Sequence, residues 1–230
     1  MTDSQTYFAQ VAGQWDEIRT GYFTEHMRDA AIAKIGALQA TPLRPDAVVA
    51  DVGTGTGFVA LGLAPKVAKV IGFDASPEML AVARRNLAAF SNVEFREAPG
   101  DHLPLPDGAL DAAFANMYLH HAPDPAGAIR ELARVLRIPD PVSGKSGGVL
   151  CLTDLDTHDH TWQREQMADL WLGFERDDIR RWFAEAGLTG IDVDCAEGAC
   201  CAADPTGKVE PLSIFVAIGR KQSLQRAILT

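Results

Sequence analysis

The sequence predicts an α/β protein: a doubly wound, mostly parallel sheet with an antiparallel edge strand and an N-terminal helical cap. Three observations carry this. From Ala47 onward, short apolar runs alternate with amphipathic stretches, the pattern of a parallel sheet covered by helices on both faces. The first run continues into a glycine-rich turn, VADVGTGTG (Val49 to Gly57), and the second, VIGFDAS (Val70 to Ser76), ends on an acid. Before Ala47 the apolar residues fall instead at helical spacing.

The cap is assigned to residues 1–45 and the sheet domain to residues 46–222. Tyr7, Phe8, Val11 and Trp15 recur at helical spacing, Thr24 to Leu38 is a second amphipathic stretch, and Pro42 and Pro45 mark the boundary. Ala47 to Val52 is the all-but-apolar strand of a parallel sheet. Gly57 to Leu63 opens a helix, and Val67 to Phe73 is the next strand. Ser76 suits an N-cap, Pro77 the first helical position and Glu78 the positive end of the dipole. Strands come next at Val93 to Arg96 and Ala109 to Ala115, then a helix at Pro125 to Leu136. The segment IPDPVSGKSGG (Ile138 to Gly148) reads as a loop. Val149 to Thr153 is a fifth strand, and Trp162 to Phe174 is amphipathic. Asp177 or Asp178 caps a helix over Ile179 to Ala186, ended by Gly187. Ile191 to Cys195 and Leu212 to Ile218 close the chain as strands with no clear helix between them, which suits an antiparallel pair at one sheet edge.

A chain of 230 residues suffices for one such domain. Its net charge of −10 repels polyphosphate, so nucleic acid is not the expected partner. No apolar run reaches the roughly 18 residues that span a bilayer. MTDSQTYFAQ lacks the basic and apolar regions of a secretory signal. These features predict a cytoplasmic protein without a membrane partner; they leave the oligomeric state open.

The glycines of DVGTGTGF allow a sharp turn and a close backbone approach to a ligand, and the helix after them favours anionic groups. Asp74, at the end of the next strand, can accept hydrogen bonds from ribose hydroxyls. The pattern Gly53-x-Gly55-x-Gly57 departs from a dinucleotide fingerprint, whose third glycine would fall at Phe58. That argues against a nicotinamide-dependent oxidoreductase.

Four segments, VADVGTGTG, VIGFDASPEMLAVARRN, LPLPDGALDAAFANMYLHHAPDP, and AIRELARVLR with GGVLCLTDLD, together resemble the class I S-adenosylmethionine-dependent methyltransferases. The likeness covers roughly residues 47–156 and is to the small-molecule branch that includes ubiquinone/menaquinone-type enzymes and the catalytic domains fused to some ArsR-type regulators. WLGFERDDIRRWFAEAGL is similar to the tail of that group. The resemblance implies a Rossmann-like fold and S-adenosylmethionine as cofactor. It also implies roles. Asp51 helps hold the methionine amino group; Gly53, Thr54 and Gly55 form the close-approach turn; Asp74 binds the ribose. Ala75 and Met79 line the adenine pocket, and Asn116 and Met117 flank the methionine. One departure stands out. The family places an aspartate where this chain has Pro99, so Asp101 or the backbone around Ala98 and Gly100 takes over at the adenine.

The sulfonium activates the methyl group, so the protein's task is chiefly to place the acceptor. Candidate acceptor-side groups come after the fourth strand (Tyr118, His120, His121), after the fifth (Asp154, Asp156, His158, His160), or from the cap (Tyr7, Trp15, Tyr22, Phe23). His120, His121 and Tyr22 are the catalytic candidates. His120 and His121 are equally a helix-start or packing pair, and Tyr22 and Phe23 equally core. His158 and His160 with Asp154 and Asp156 have metal-like spacing, but a polar loop is the plainer account and no metal ligand is assigned. Trp162, Trp171 and Trp182 read as core. Cys195, Cys200 and Cys201 are soft ligands or small buried hydrophobes. The expected function is methyl transfer from S-adenosylmethionine to a small molecule by in-line displacement. The alternatives are methylation of a thiol or metalloid through the three cysteines, and a non-catalytic S-adenosylmethionine-binding regulator or scaffold.

Overall fold

The computed structural model describes residues 3–20, 23–39, 43–142, 144–196, 200–203 and 209–222. Tyr22 and Pro42 lie outside them. Among the described residues the sheet has seven strands: β1 (Val48–Val52), β2 (Lys69–Asp74), β3 (Val93–Glu97), β4 (Ala112–Asn116), β5 (Val149–Leu155), β6 (Leu188–Cys195) and β9 (Ile214–Lys221), in the order β3-β2-β1-β4-β5-β9-β6. The first five are parallel, and β9 pairs antiparallel with both β5 and β6. The two closing strands thus form the expected antiparallel pair at one end of the sheet. β9 can insert beside β5 because a hairpin of β7 (Cys200–Ala203) and β8 (Val209–Leu212) returns the chain. That hairpin has no counterpart among the elements expected from sequence.

Period-two alternation splits β1 between two cores. Val49 faces one layer with Ile35, Leu63 and Phe58, while Ala50 and Val52 face the other with Ile129, Leu132, Ile179 and Phe183. The first layer is built by α3 (Glu25–Gln39) and α4 (Phe58–Leu63), the second by α6 (Pro125–Val135) and α8 (Arg176–Glu185). Caps fix where helices begin. The Ser76 hydroxyl accepts from the Met79 N–H at 3.2 Å, opening α5 (Pro77–Asn86), and Asp124 accepts from the Gly127 N–H at 2.9 Å, opening α6. Both helices carry proline at the first turn.

Three local expectations change. The N-terminal helical run divides into α1 (Asp3–Val11) and α2 (Trp15–Arg19). The amphipathic stretch at Trp162 to Phe174 is helical only as α7 (Trp162–Gln166); Ala168, at φ 57°, takes the left-handed conformation that a helix cannot continue through. Helix α8 starts after Glu175, so Asp177 and Asp178 lie in its first turn, complementing the dipole instead of capping it.

Candidate active site

The strand order reverses between β1 and β4, and the carboxyl ends of β1, β2, β4 and β5 meet there, the place where open α/β sheets bind ligands. A cavity of about 390 Å³ lies at this point, between the glycine turn and the cap. Asp51, Gly53, Thr54, Gly55, Asp74, Ala75, Met79, Ala98, Gly100, Asp101, Asn116, Met117, His120 and His121, all expected site residues, line it.

The turn after β1 is held open by positive φ angles at Gly53 (67°), Gly55 (54°) and Gly57 (89°). A Cβ on Gly53 would come within 2.7 Å of the Tyr118 ring, so this glycine is required by space as well as by conformation. Asp74 organises the turn from β2. Its carboxylate accepts the N–H of Gly55 at 2.8 Å and of Ser76 at 2.9 Å. Burial pushes its pKa up, and these backbone hydrogen bonds oppose the shift. Asp51 accepts the Thr54 hydroxyl at 2.6 Å and the Ala60 N–H at 3.0 Å. Burial raises it to about 6, against those hydrogen bonds and with a smaller push from Asp74. The acceptor set suits a nucleoside that carries a free amino acid: the buried Asp51 and half-buried Asp74 carboxylates have lone pairs left over, beside a backbone without side chains at its closest approach.

The cap closes over this turn. Asp16 accepts from the Thr56 hydroxyl at 2.6 Å and from Asn86 Nδ2 at 2.9 Å. Phe8 makes edge-on contacts with Trp15 at 5.1 Å and with His121 at 4.8 Å between ring centroids. Tyr7 donates to Met167 Sδ at 3.3 Å, joining the cap to the segment after α7. Phe23 is buried against Phe58 and also lines the cavity, so it serves as core and as wall.

On the acceptor side, His120 and His121 sit on a 3-10 turn just past β4. His120 Nδ1 lies 2.7 Å from Asp154 Oδ1, and the other oxygen of Asp154 accepts the Leu119 N–H at 2.8 Å. Burial alone would lower the His120 pKa; the charge and hydrogen bond of Asp154, with help from Asp169, outweigh it and bring the ring to about 8. His121 moves the other way, well below its usual value, through burial and then the proximity of His120. Asp169 is raised to about 6 by burial, with His120 opposing.

Sequence reasoning missed Asp169, and it missed the pairing of Asp154 with His120. The pairing had a visible signal: β4 and β5 are parallel neighbours with Asn116 opposite Thr153, so the segments leaving their carboxyl ends must meet. Asp169 had none.

Other candidates go elsewhere. Asp156 forms a two-pronged ion pair with Arg176 at 2.6 and 2.7 Å, and the rings of His158 and His160 stack at 5.2 Å. The metal-like spacing in that loop therefore gathers no set of ligands with Asp156. Trp171 is half-exposed, not core, and its Nε1 donates to the Ala122 carbonyl at 2.9 Å. Cys195 is exposed, with its sulfur 3.2 Å from Arg176 Nη2. It does not line the cavity, and the side chains of Cys200 and Cys201 fall outside the described part of the structure. The thiol or metalloid reading finds no support.

A family model described as "Methyltransferase domain" matches residues 50–139. The chain is 33% identical over 179 residues to 2-methyl-6-phytyl-1,4-hydroquinone methyltransferase 2 of Oryza sativa subsp. japonica, covering 76% of this chain and 47% of the relative. It is 38% identical over 133 residues to demethylmenaquinone methyltransferase of Thermus thermophilus, covering 56% and 59%. The chain thus spans about half the length of the curated relatives it matches. Among solved structures, phosphoethanolamine N-methyltransferase 2 of Haemonchus contortus, in complex with S-adenosylhomocysteine, superposes with a TM-score of 0.74 at 13% identity, over 97% of this chain and 61% of that one. With the glycine turn, Asp74 and the reversal of strand order in place, residues 50–139 form a methyltransferase domain, and the chain carries the fold of the class I S-adenosylmethionine-dependent methyltransferases.

Proposed function

We propose that this protein transfers a methyl group to a hydroxylated aromatic ring of the hydroquinone class. One observation carries the reading: in a cavity walled by Phe8, Trp15, Met117, Met167 and Leu170, the polar groups of His120, His121 and Asp169 gather at one spot. An apolar slot with one hydrogen-bonding wall matches a flat ring bearing a hydroxyl. The names of the rice and Thermus relatives, both quinone-type methyltransferases, agree with it.

When bound, S-adenosylmethionine supplies a methyl group on a positively charged sulfur, which departs as a neutral thioether. Asp74 takes the ribose hydroxyls, Asp51 with Thr54 the methionine ammonium, and Gly53 and Gly55 the close backbone approach. Ala75, Met79, Ala98, Gly100 and Asp101 surround the adenine; Asn116 and Met117 border the methionine. Helices α1 and α2 act as a lid, in which Phe8 and Trp15 keep water from the reacting carbon, while α3 belongs to the core. Asp154 fixes His120 by its Nδ1, so Nε2 is the atom turned to the acceptor. Holding the hydroxyl proton at this wall enriches the ring in electrons at the neighbouring carbon, which attacks the methyl group as the carbon–sulfur bond breaks and afterwards gives its own proton to water.

The test is transfer of labelled methyl to two probes, a prenylated benzohydroquinone and a 1,4-naphthohydroquinone, each with a free ring carbon. Label on the ring of either is the expected result. Tight S-adenosylhomocysteine binding with no transfer to either would sink the reading and favour a cofactor-binding scaffold.

A further inference from the structure

We propose that His120, His121 and Asp169 bind a divalent cation of the zinc or ferrous type, and that the acceptor's hydroxyl oxygen is a further ligand to it. One ligand atom from each of the three residues lies within 4.8 Å of the other two. The Nε2 atoms of both histidines lie 3.9 Å from the same oxygen, Asp169 Oδ1. Metal–ligand bonds of about 2.0–2.2 Å would close this triangle with shifts of roughly half an ångström.

Three features distinguish the cluster from an ordinary polar patch. The first is that both rings are held from behind. His120 Nδ1 is bound to the Asp154 carboxylate at 2.7 Å, and His121 Nδ1 faces the Ala168 carbonyl at 3.3 Å. A carbonyl only accepts, so the His121 proton sits on Nδ1 and the Nε2 lone pair is turned toward Asp169. A carboxylate behind a ligating histidine is the recurrent outer shell of metal centres, because it fixes the tautomer and strengthens the ligand. The second is Asp169 Oδ1 itself: buried, on a side chain only 3% exposed, and without a hydrogen-bond partner. A buried carboxylate oxygen that lies 3.9 Å from two imidazole nitrogens and bonds to neither is a polar atom left without its partner. The third is charge. Two carboxyl groups, Asp154 and Asp169, flank the rings, and a dication offsets both.

Two imidazoles and one carboxylate form a set with open positions, suited to a first-row divalent ion. Those positions face the cavity. A hydroxyl oxygen that enters one gives its proton to water and binds as an oxyanion, so the cation takes the place of that proton at the wall. The ligand set stands on its geometry alone; its use in catalysis rests on the hydroquinone reading.

Cobalt is the probe. The purified protein, stripped with chelator and desalted, is titrated with Co2+ while visible d–d absorption is followed. We expect saturable bands that Zn2+ displaces. Asp169→Asn and His121→Gln should each weaken binding by about tenfold or more, with thermal melting checking that each variant is folded; Asp154→Asn should weaken it by about tenfold through its effect on His120. No saturable bands in the wild-type protein, or undiminished binding in both folded ligand variants, overturns the cation. Hydroquinone methylation at full rate in stripped protein also overturns it and leaves the proposed function standing. Cobalt binding lost in both variants, together with no transfer to any hydroquinone, upholds the site and overturns the function instead.

Discussion

The Asp16 carboxylate and the Thr56 hydroxyl are joined by a 2.6 Å hydrogen bond that spans forty positions of sequence. Asp16 belongs to the cap and Thr56 to the glycine turn, and the other Asp16 oxygen holds Asn86 at the end of α5. This contact ties the lid to the cofactor side of the cavity. A partly exposed charge-assisted hydrogen bond contributes about 1 kcal/mol, so Asp16→Ala is expected to speed release of S-adenosylhomocysteine by roughly fivefold. Stopped-flow displacement measures this directly, and an unchanged release rate would mean the cap does not retain the cofactor.

Asp74 offers a sharper case. Both of its oxygens already hold backbone N–H groups, so the residue orders the turn and receives the ribose at once. Asp74→Ala removes both functions and should weaken S-adenosylhomocysteine binding by at least about tenfold, since hydrogen bonds to a charged group contribute about 1.5–3 kcal/mol. Calorimetry that returned near-wild-type affinity would refute the assignment.

The pH dependence of cofactor binding should trace to Asp51. Its folded pKa is raised to about 6 by burial, above the ordinary 3.8. A carboxyl so shifted holds its proton more tightly in the fold than in the unfolded chain. It therefore costs stability above about pH 6, and that cost fades as the pH falls toward 4. Binding runs opposite, because only the ionised form attracts the methionine ammonium. The dissociation constant for S-adenosylhomocysteine should rise as the pH drops through 6, and Asp51→Asn should flatten that rise while weakening binding at pH 7. A rise of the same steepness in the variant would assign the titration to another group.

These predictions draw on parts of the site that are legible in the sequence, and the reason is local. A strand that runs into glycines, an acid at the end of the next strand, and Ser76 with Pro77 at a helix start are features of neighbouring residues, governed by backbone sterics and capping. What escapes a sequence reading is set by distant contacts. Asp169 reaches His120 only because the chain leaves α7 after Gln166 and turns at Ala168. The apolar spacing from Trp162 to Phe174 gives no sign of this turn, and so it points Trp171 into the core when that residue stands half-exposed. The order of β9 and β6 escapes for a related reason: strand identity follows from composition, but which edge a strand joins depends on the β7–β8 hairpin that redirects it.

The partnership of Asp154 with His120 separates orientation from cofactor binding. Asp154 is fully buried; one oxygen accepts the Leu155 N–H at 2.8 Å and meets His120 Nδ1, and the other accepts the Leu119 N–H. Asp154→Asn keeps the shape but replaces one acceptor with an N–H2 donor. That donor faces either the Leu119 N–H or a ring nitrogen, which must then give up its proton and turn the tautomer over. Above about pH 8, where the wild-type ring is neutral with its proton on Nδ1, the variant ring carries that proton on Nε2 and presents a donor to the acceptor's hydroxyl where a lone pair is needed. Turnover should fall by about 10²-fold, on the scale of lost acid–base positioning. The cofactor groups Asp51 and Asp74 make none of these contacts, so S-adenosylhomocysteine affinity should change far less than turnover. If turnover and cofactor affinity fell together, Asp154 would be holding up the whole pocket, and its assignment as a positioning residue for His120 would fail.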